Sequence, residues 1–364
     1  MMLLYFLAFI VLVNCSFYIF FSRFIFGKSD PVITTKAYPV SVLICAKNEE
    51  ENLKKHIPLI LQQDYPDFEL ILINDASSDE SLMIMESFAE KDSRIKIVDV
   101  QNNEAFWANK KYALTLGIKK AANKRLLFTD ADCKPAGDRW ITSMASHFSK
   151  DKQLILGYGA YDTDSGFFNR LIRYETFITA ILYFSFAKAG RPYMGVGRNL
   201  GYTSTLFYDN KGFASHMHIA SGDDDLFVTE AATGHNTALC YNPESFTYSK
   251  PKTTLKSWLV QKRRHISTAS HYSLFHKSLL AGHYIFNLLF WLVLISTLFL
   301  CDWRLVLAFA LIRVSTQLFI LGKGSIKLRE KGLIWLLPLL ELFLIFMQMI
   351  IFITRGRAKQ NRWK

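Results

Sequence analysis

Two apolar regions enclose a mixed, polar-rich middle, and this layout constrains the chain more than any other feature. Residues Met1 to Phe21 form a nearly uninterrupted apolar run, broken only by Asn14, Cys15 and Ser16. A helix needs about 20 such residues to cross the hydrocarbon of a bilayer, so the run reads as a membrane span. No Lys or Arg precedes it, whereas Arg23 and Lys28 follow. The positive-inside bias therefore puts the segment after it in the cytosol. A cleaved signal peptide would have a basic start, a shorter apolar stretch and a small-residue cleavage site, which the run lacks.

Apolar character returns at His283. His283 to Cys301 and Val306 to Leu321 read as two spans joined by a tight Asp302-Trp303-Arg304 turn, and Leu333 to Ile353 as a third stretch. A basic loop from Gly322 to Lys331 belongs in the cytosol. Three full crossings would leave the basic tail 355–364 outside, against the charge rule, and Pro338, Glu341 and Gln348 offer a re-entrant or interfacial segment instead. The net charge of +12 flanks apolar segments in large part, as anchoring beside anionic headgroups requires, and nucleic acid is not an expected partner. Cys15, Cys45, Cys133, Cys240 and Cys301 show no pairing or ligand spacing, as in a reduced compartment.

Between Pro39 and Ser165 short β-rich runs alternate with helical stretches, the pattern of βαβ units around a mainly parallel sheet. The strand candidates are Val40–Ala46, Glu69–Asn74, Ile95–Val98, Arg125–Thr129 and Leu154–Tyr158; helices are expected over Glu49–Gln63, Ser78–Lys91 and Ala108–Asn123. In such sheets ligands collect beyond the carboxyl ends of the strands, where the acidic motifs fall. Phe167 to Lys188 mixes large apolar residues with Arg170, Arg173 and Lys188, and reads either as a helix on the membrane surface or as a core helix.

The strongest chemical element is Thr129-Asp130-Ala131-Asp132-Cys133, directly after a strand. Alternate carboxylates at a strand exit reach a hard divalent cation, which keeps positions for substrate phosphates and stabilises charge on a departing diphosphate. Asn74-Asp75 closes another strand, and its carboxylate suits hydrogen bonds from a base or sugar hydroxyl, whereas Asp79 reads as a helix cap. Asp223-Asp224-Asp225 crowds three acids, so at least one pKa rises unless a cation neutralises them; such a carboxylate serves as general base, or simply starts a helix. Gln261-Lys262-Arg263-Arg264-His265 supplies the opposite sign, either to grip a diphosphate or as a basic patch beside a membrane helix.

Read in order, Ile44-Cys-Ala-Lys-Asn-Glu-Glu50, Asn74-Asp75, Lys110-Lys-Tyr-Ala-Leu114, Thr129-Asp-Ala-Asp132, Gly222-Asp-Asp224 and Gln261-x-x-Arg264 resemble the family 2 inverting glycosyltransferases of GT-A fold. That group includes cellulose, chitin and hyaluronan synthases and ceramide glucosyltransferase, and the resemblance runs roughly from Pro39 to Ser270. It implies an α/β nucleotide-diphospho-sugar transferase domain with a mainly parallel sheet, flanked by transmembrane helices. It further implies that Ala46, Glu49 and Asp75 hold the nucleoside, with Lys110 near the donor. Asp130 contacts the ribose or the metal's water shell, Asp132 ligates Mn2+ or Mg2+, and Asp224 is the general base, with Asp223 or Asp225 as one-residue slips. Gln261, Arg264 and His265 border diphosphate and acceptor. Gly195–Asn199 with Tyr202 resembles the acceptor-side loop.

Two positions depart from the pattern. Asn74 stands where the family often has Asp, and His265 replaces the usual Trp, removing a stacking surface. The expectation is an anchor at 1–26, a cytosolic transferase domain at 39–275, transmembrane or re-entrant helices at 281–354 and a tail at 355–364, in an integral membrane protein of bacterial inner-membrane type. Its partners are a UDP- or GDP-type sugar donor, a lipid-linked or glycan acceptor and membrane lipids, with single or few transfers favoured over polymer export. A non-catalytic sugar-nucleotide-binding membrane scaffold and a nucleotidyltransferase releasing pyrophosphate are the alternatives.

Overall fold

Val40–Ala46 is apolar or small at every position, and a strand of that kind is stable only when covered on both faces. The computed structural model, described over residues 1–28, 37–101, 110–219 and 221–354, builds a two-sided sheet around it. The elements in chain order are α1 (Met2–Ile25), β1 (Val40–Ala46), α2 (Glu50–Leu61), β2 (Phe68–Asp75), α3 (Ser81–Ala89), β3 (Ile95–Val100), α4 (Lys110–Lys120), β4 (Arg125–Asp130), β5 (Cys133–Pro135) and α5 (Trp140–Ala145). There follow β6 (Leu154–Leu156), β7 (Gly159–Tyr161), α6 (Phe167–Lys188), β8 (Leu200–Thr203), α7 (Ser204–Asp209), α8 (Asp225–Ala231), β9 (Thr237–Leu239), β10 (Thr247–Ser249) and α9 (Leu255–Ala269). The chain closes with α10 (Leu274–Leu300), α11 (Trp303–Lys327) and α12 (Leu337–Thr354).

Seven strands form the main sheet in the order β3-β2-β1-β4-β8-β6-β9, and β5-β10-β7 form a small second one. The main sheet is mostly parallel, with β8 antiparallel to both β4 and β6. Alternation sends Val40, Val42 and Ile44 of β1 to one layer with Leu53, Ile57 and Trp140, and Leu43 and Cys45 to the other with Ala113, Leu114 and Ile118. On the second face α4 lies unusually close, since a Cβ at Gly117 would come within 2.3 Å of Ile73 Cδ1.

The first four strand expectations hold to within two residues at each end. Leu154–Tyr158 does not: β6 stops at Leu156, and Gly157 and Tyr158 lead out of the main sheet into β7 of the other one. This exit is fastened by Asn199, whose carbonyl accepts from Gly157 N–H (3.0 Å) and whose Nδ2 donates to Tyr158 O (2.9 Å).

Among the described residues four helices, α1, α10, α11 and the Ile334–Thr354 stretch, are long and apolar enough to cross a membrane. The expected basic loop from Gly322 to Lys331 is corrected in part: α11 runs on through Lys327, because Lys327 Nζ caps the carbonyls of Phe24, Ile25 and Gly27 at the end of α1. The expected span from His283 likewise begins earlier, at Leu274, where Ser273 caps α10. The tail 355–364 and the expected helix start at Ala108 lie outside the described residues.

Inside the helical bundle Arg313 is 0% exposed and pairs with Glu341, while donating to Gln317 Oε1 (3.0 Å) and Asn287 Oδ1 (3.2 Å). A charge among apolar helices persists only when paired in this way, and the cluster ties α10, α11 and α12 together. The α6 helix, expected either on the membrane surface or in the core, is largely buried. Phe184 stacks on Phe24 of α1 and Phe167 meets Phe343 of α12 edge-on. Arg173 of α6 pairs with Glu330, which also accepts from Tyr158 Oη (2.7 Å).

Candidate active site

β1, β2 and β4 run parallel and end side by side, with Ala46 opposite Asn74 and Cys45 opposite Asp130. The carboxylates of Asp75 and Asp130 are therefore delivered on either side of β1 at the sheet's carboxyl edge. The loops beyond β1 and β2 are locked together. Asn48, at φ 56, accepts from Ser78 N–H (2.8 Å), and Ser81 Oγ accepts from Glu49 N–H (2.9 Å). Asp79 accepts from Ser81 N–H (3.0 Å) and Glu50 N–H (3.3 Å), so it caps, as its position suggested.

Ala76 sits at φ 50, a costly conformation for a residue with a Cβ, directly after Asp75. Asp75 is 4% exposed and its Oδ2 has no hydrogen-bond partner. Burial pushes its pKa up, against the pull of Lys47 and Lys110. A buried acceptor left open at a strand end is a place prepared for a donor from outside the chain. Glu49, by contrast, turns its carboxylate to Asn52 Nδ2 (2.6 Å), and Asn74 donates to Asp99 (2.7 Å).

On the other side of β1, Asp130, Asp132 and Cys133 bring one ligand atom each within 4.8 Å of one another. Burial, and then the neighbouring Asp132 and Asp130, hold the Cys133 thiol well above its usual pKa. The two carboxylates of this group are hard oxygen donors, the kind that suit a cation such as Mg2+ or Mn2+. Lys110 Nζ lies 2.7 Å from Asp130 Oδ1 and 3.0 Å from Asp223 Oδ2. Burial works against its charge, but the two carboxylates outweigh it and raise its pKa.

The three consecutive acids separate cleanly. Burial would lift Asp223, but Lys110 beside it pulls its pKa below the usual range. Asp225 is 6% exposed and accepts from Tyr272 Oη (2.6 Å) and Thr268 Oγ1, which fastens α9 to the start of α8. Asp224 lies between them and accepts from Gly197 N–H (2.7 Å) and from Asp225 N–H (2.8 Å). Burial, with Asp223 and Asp225 alongside, raises its pKa from 3.8 to about 7. Lys110, Thr129, Asp130, Gly197, Asp223 and Asp224 line one small cavity. Asp132 is not among its walls; it joins the group through Asp130.

The Gln261–His265 segment lies on α9, and its residues part ways. Gln261 donates to Tyr161 Oη (3.3 Å), Lys262 pairs with Glu175 and Arg263 donates to Thr354 Oγ1 (2.9 Å). Lys262 and Arg263 thus bind neighbours on α6 and at the end of α12. Arg264 and His265 are exposed.

Sequence reasoning undervalued the hub at Arg198-Asn199. Asn199 is 0% exposed, accepts from Trp140 Nε1 (3.0 Å) and donates to Tyr158 O and Ser245 O (2.6 Å). Arg198 donates to Ser249 Oγ (2.9 Å) and Ala160 O (3.2 Å), with its guanidinium 4.4 Å from the Tyr161 ring centre. Burial opposes its charge, but Tyr161, Cys133, Asp132 and Asp130 outweigh this and raise its pKa. Its only sequence signal was its place in the Gly195–Asn199 stretch. Tyr202 of the same stretch is a core residue, stacked on Phe128.

Comparison with known proteins agrees with this architecture. The profile described as Glycosyl transferase family 2 matches residues 41–210, and that described as Glycosyl transferase family group 2 matches residues 141–350. An uncharacterized glycosyltransferase of Haemophilus influenzae is 33% identical over 124 residues, covering 34% of this chain and 36% of that protein. A poly-beta-1,6-N-acetyl-D-glucosamine synthase of Staphylococcus epidermidis is 33% identical over 112 residues, covering 31% of this chain and 25% of that protein. The chain thus spans well under half the length of either relative. Among solved structures, the mannosyltransferase PcManGT from Pyrobaculum calidifontis, in complex with GDP-Man and Mn2+, shares the fold over 96% of this chain and 98% of its own, with a TM-score of 0.62 at 16% identity. With a GT-A-like sheet ending in Asp75 and Asp130, and the profiles of glycosyl transferase family 2 and family group 2 together matching residues 41–350, the chain belongs to the family 2 glycosyltransferases.

Proposed function

We propose that this glycosyltransferase moves a sugar, with inversion, from a UDP- or GDP-linked donor to a lipid-linked or glycan acceptor at the cytosolic face of a membrane. The observation that carries the reading is the shared cavity: Asp130, next to the Asp132 carboxylate, and Asp224, its pKa lifted to about 7, line one space with Lys110, which pairs with Asp130 and Asp223. Inverting transfer requires that pairing, a cation-binding group on the leaving side and a poised base on the other, and no covalent intermediate.

In this reading Ala46 and Glu49 flank the nucleoside, and the open Oδ2 of Asp75 accepts from it. Asp132 would hold Mn2+ or Mg2+, with Asp130 beside it or at the ribose, and such a cation, when bound, would supply neutralisation of the charge on the departing diphosphate. Lys110 stands beside that charge, and Arg264 and His265, exposed on α9, face the diphosphate and acceptor together with Gln261. Asp224 takes the proton of the acceptor hydroxyl; a base near the working pH combines a large ionised fraction with useful basicity. Fixed by two backbone N–H groups, it needs no rearrangement to act. A nucleotide-sugar donor and a divalent metal are supported by the archaeal fold relative, which holds GDP-Man and Mn2+. The four apolar helices favour an amphiphilic acceptor.

The test is a donor panel assayed for released nucleoside diphosphate with manganese or magnesium, comparing wild type with Asp132→Asn. Removing a metal that stabilises leaving-group charge lowers the rate by at least about two orders of magnitude. Binding of UDP or GDP without turnover of any sugar nucleotide on membrane extracts would favour a non-catalytic scaffold instead.

A further inference from the structure

We infer that α12 is not a membrane crossing but a helix seated along the leaflet next to the catalytic domain, so that the chain leaves Thr354 on the same side as that domain. The inference rests on α1, α10 and α11 being spans and is independent of donor and acceptor.

Three helices have one end against the α/β domain and the other remote from it. Phe24 of α1 packs on Phe184, and His276 of α10 lies 3.2 Å from Arg191 O. Gly324 of α11 is so close to α6 that a Cβ there would meet Ile181 Cδ1 at 3.0 Å. Their remote ends close on one another in a separate apolar cluster of Leu7, Ile10, Val11, Phe290 and Val306. Among the described residues α12 contributes nothing to that cluster or to the side chains packed around it.

Both ends of α12 lie instead against the domain. It is entered from Glu330, which is paired with Arg173 of α6, and Leu337, Leu340 and Leu344 belong to the same apolar cluster as Phe177 and Ile181 of α6. Phe343 meets Phe167, at the start of α6. At the far end Thr354 Oγ1 accepts from Arg263 Nε (3.2 Å) and Nη2 (2.9 Å) of α9, the helix that carries Gln261, Arg264 and His265. A crossing helix entered at Leu337 would put Thr354 about 26 Å away at 1.5 Å per residue, near the opposite membrane surface and out of reach of any side chain of the domain.

The exposed stripe fits a seat in the leaflet. Leu339, Phe346, Ile350 and Ile353 recur on one side of α12 and are all at least 38% exposed. A helix in the plane of a bilayer normally has a polar face for the headgroups. Here α6 and α9, with Arg313 and Gln317 of α11 at Glu341 and Tyr284 of α10 at Ile345, cover that face, which leaves the exposed stripe to meet the acyl chains and explains a composition that reads as a span. The charge rule is then satisfied as well, because Arg355, Arg357, Lys359, Arg362 and Lys364 follow Thr354. Through Arg263, the leaflet holds the helix that presents Arg264 and His265.

The test uses the full chain with an epitope appended after Lys364, in sealed membrane vesicles treated with protease from one side. In the vesicle orientation where the catalytic domain is digested, the epitope is lost with it; in the opposite orientation both survive. Survival of the epitope in vesicles whose catalytic domain is digested would overturn the inference. Detergent permeabilisation, which exposes both, confirms that the epitope can be cleaved.

Discussion

If Asp224 is the base we propose, replacing it by Asn separates catalysis from stability. The structure raises this carboxyl from 3.8 to about 7, chiefly by burial and next by Asp223 and Asp225. An acid whose folded pKa is raised holds its proton longer in the folded than in the unfolded state, so its contribution to stability falls as pH rises from about 4 to about 7 and then levels off. At 1.36 kcal/mol per unit the cost grows from about 2 kcal/mol at pH 5 to about 4 kcal/mol at pH 8. Asn escapes this cost. It forfeits one of the two backbone hydrogen bonds, from Gly197 or Asp225, at about 1 kcal/mol independent of pH. The donor-free variant is therefore about 3 kcal/mol more stable than wild type at pH 8 and within about 1 kcal/mol of it at pH 5. Thermal unfolding of purified protein at the two pH values measures this. Transfer moves the other way, falling about 10²- to 10⁴-fold for loss of a general base. Wild-type transfer declines as pH drops below about 7, where Asp224 takes up its proton. Near-normal transfer by the Asn variant, or a stability gain equal at both pH values, would refute the reasoning.

Asp75→Ala removes the open acceptor without breaking a hydrogen bond to its Oδ2, so nucleotide affinity should fall at least about tenfold while the melting temperature of the free protein holds, by calorimetry and thermal scan. Tyr272→Phe deletes a donor to the buried Asp225 carboxylate and should destabilise by about 1.5–3 kcal/mol, leaving UDP or GDP binding intact. Gly157→Ala drives a Cβ to 2.4–2.7 Å from the Asn199 side chain and should cost about 1–3 kcal/mol in thermal unfolding.

Strand runs were legible because burial on both faces leaves no polar position, a local signature in Val40–Ala46 and Glu69–Asn74 alike. Asp75 and Asp130 were legible because a parallel strand delivers its last residue to the ligand edge whatever the partners are. Lys110 was named near the donor, but its bridge from Asp130 to Asp223 joins three separate segments and leaves no local trace. The same holds for Asn199, whose partners Trp140, Tyr158 and Ser245 lie on three other elements.

The sequence by itself determined the family, the alternation of strand and helix, the acids at the strand ends and the apolar stretches, since each is written in neighbouring residues. Tertiary structure alone separated Asp223, Asp224 and Asp225: three chemically identical side chains differ only in what the fold brings against them, an ammonium, two backbone N–H groups or a tyrosine hydroxyl. It also set the course of α12, because hydropathy records how much a helix dislikes water and not which neighbour its two ends are tied to.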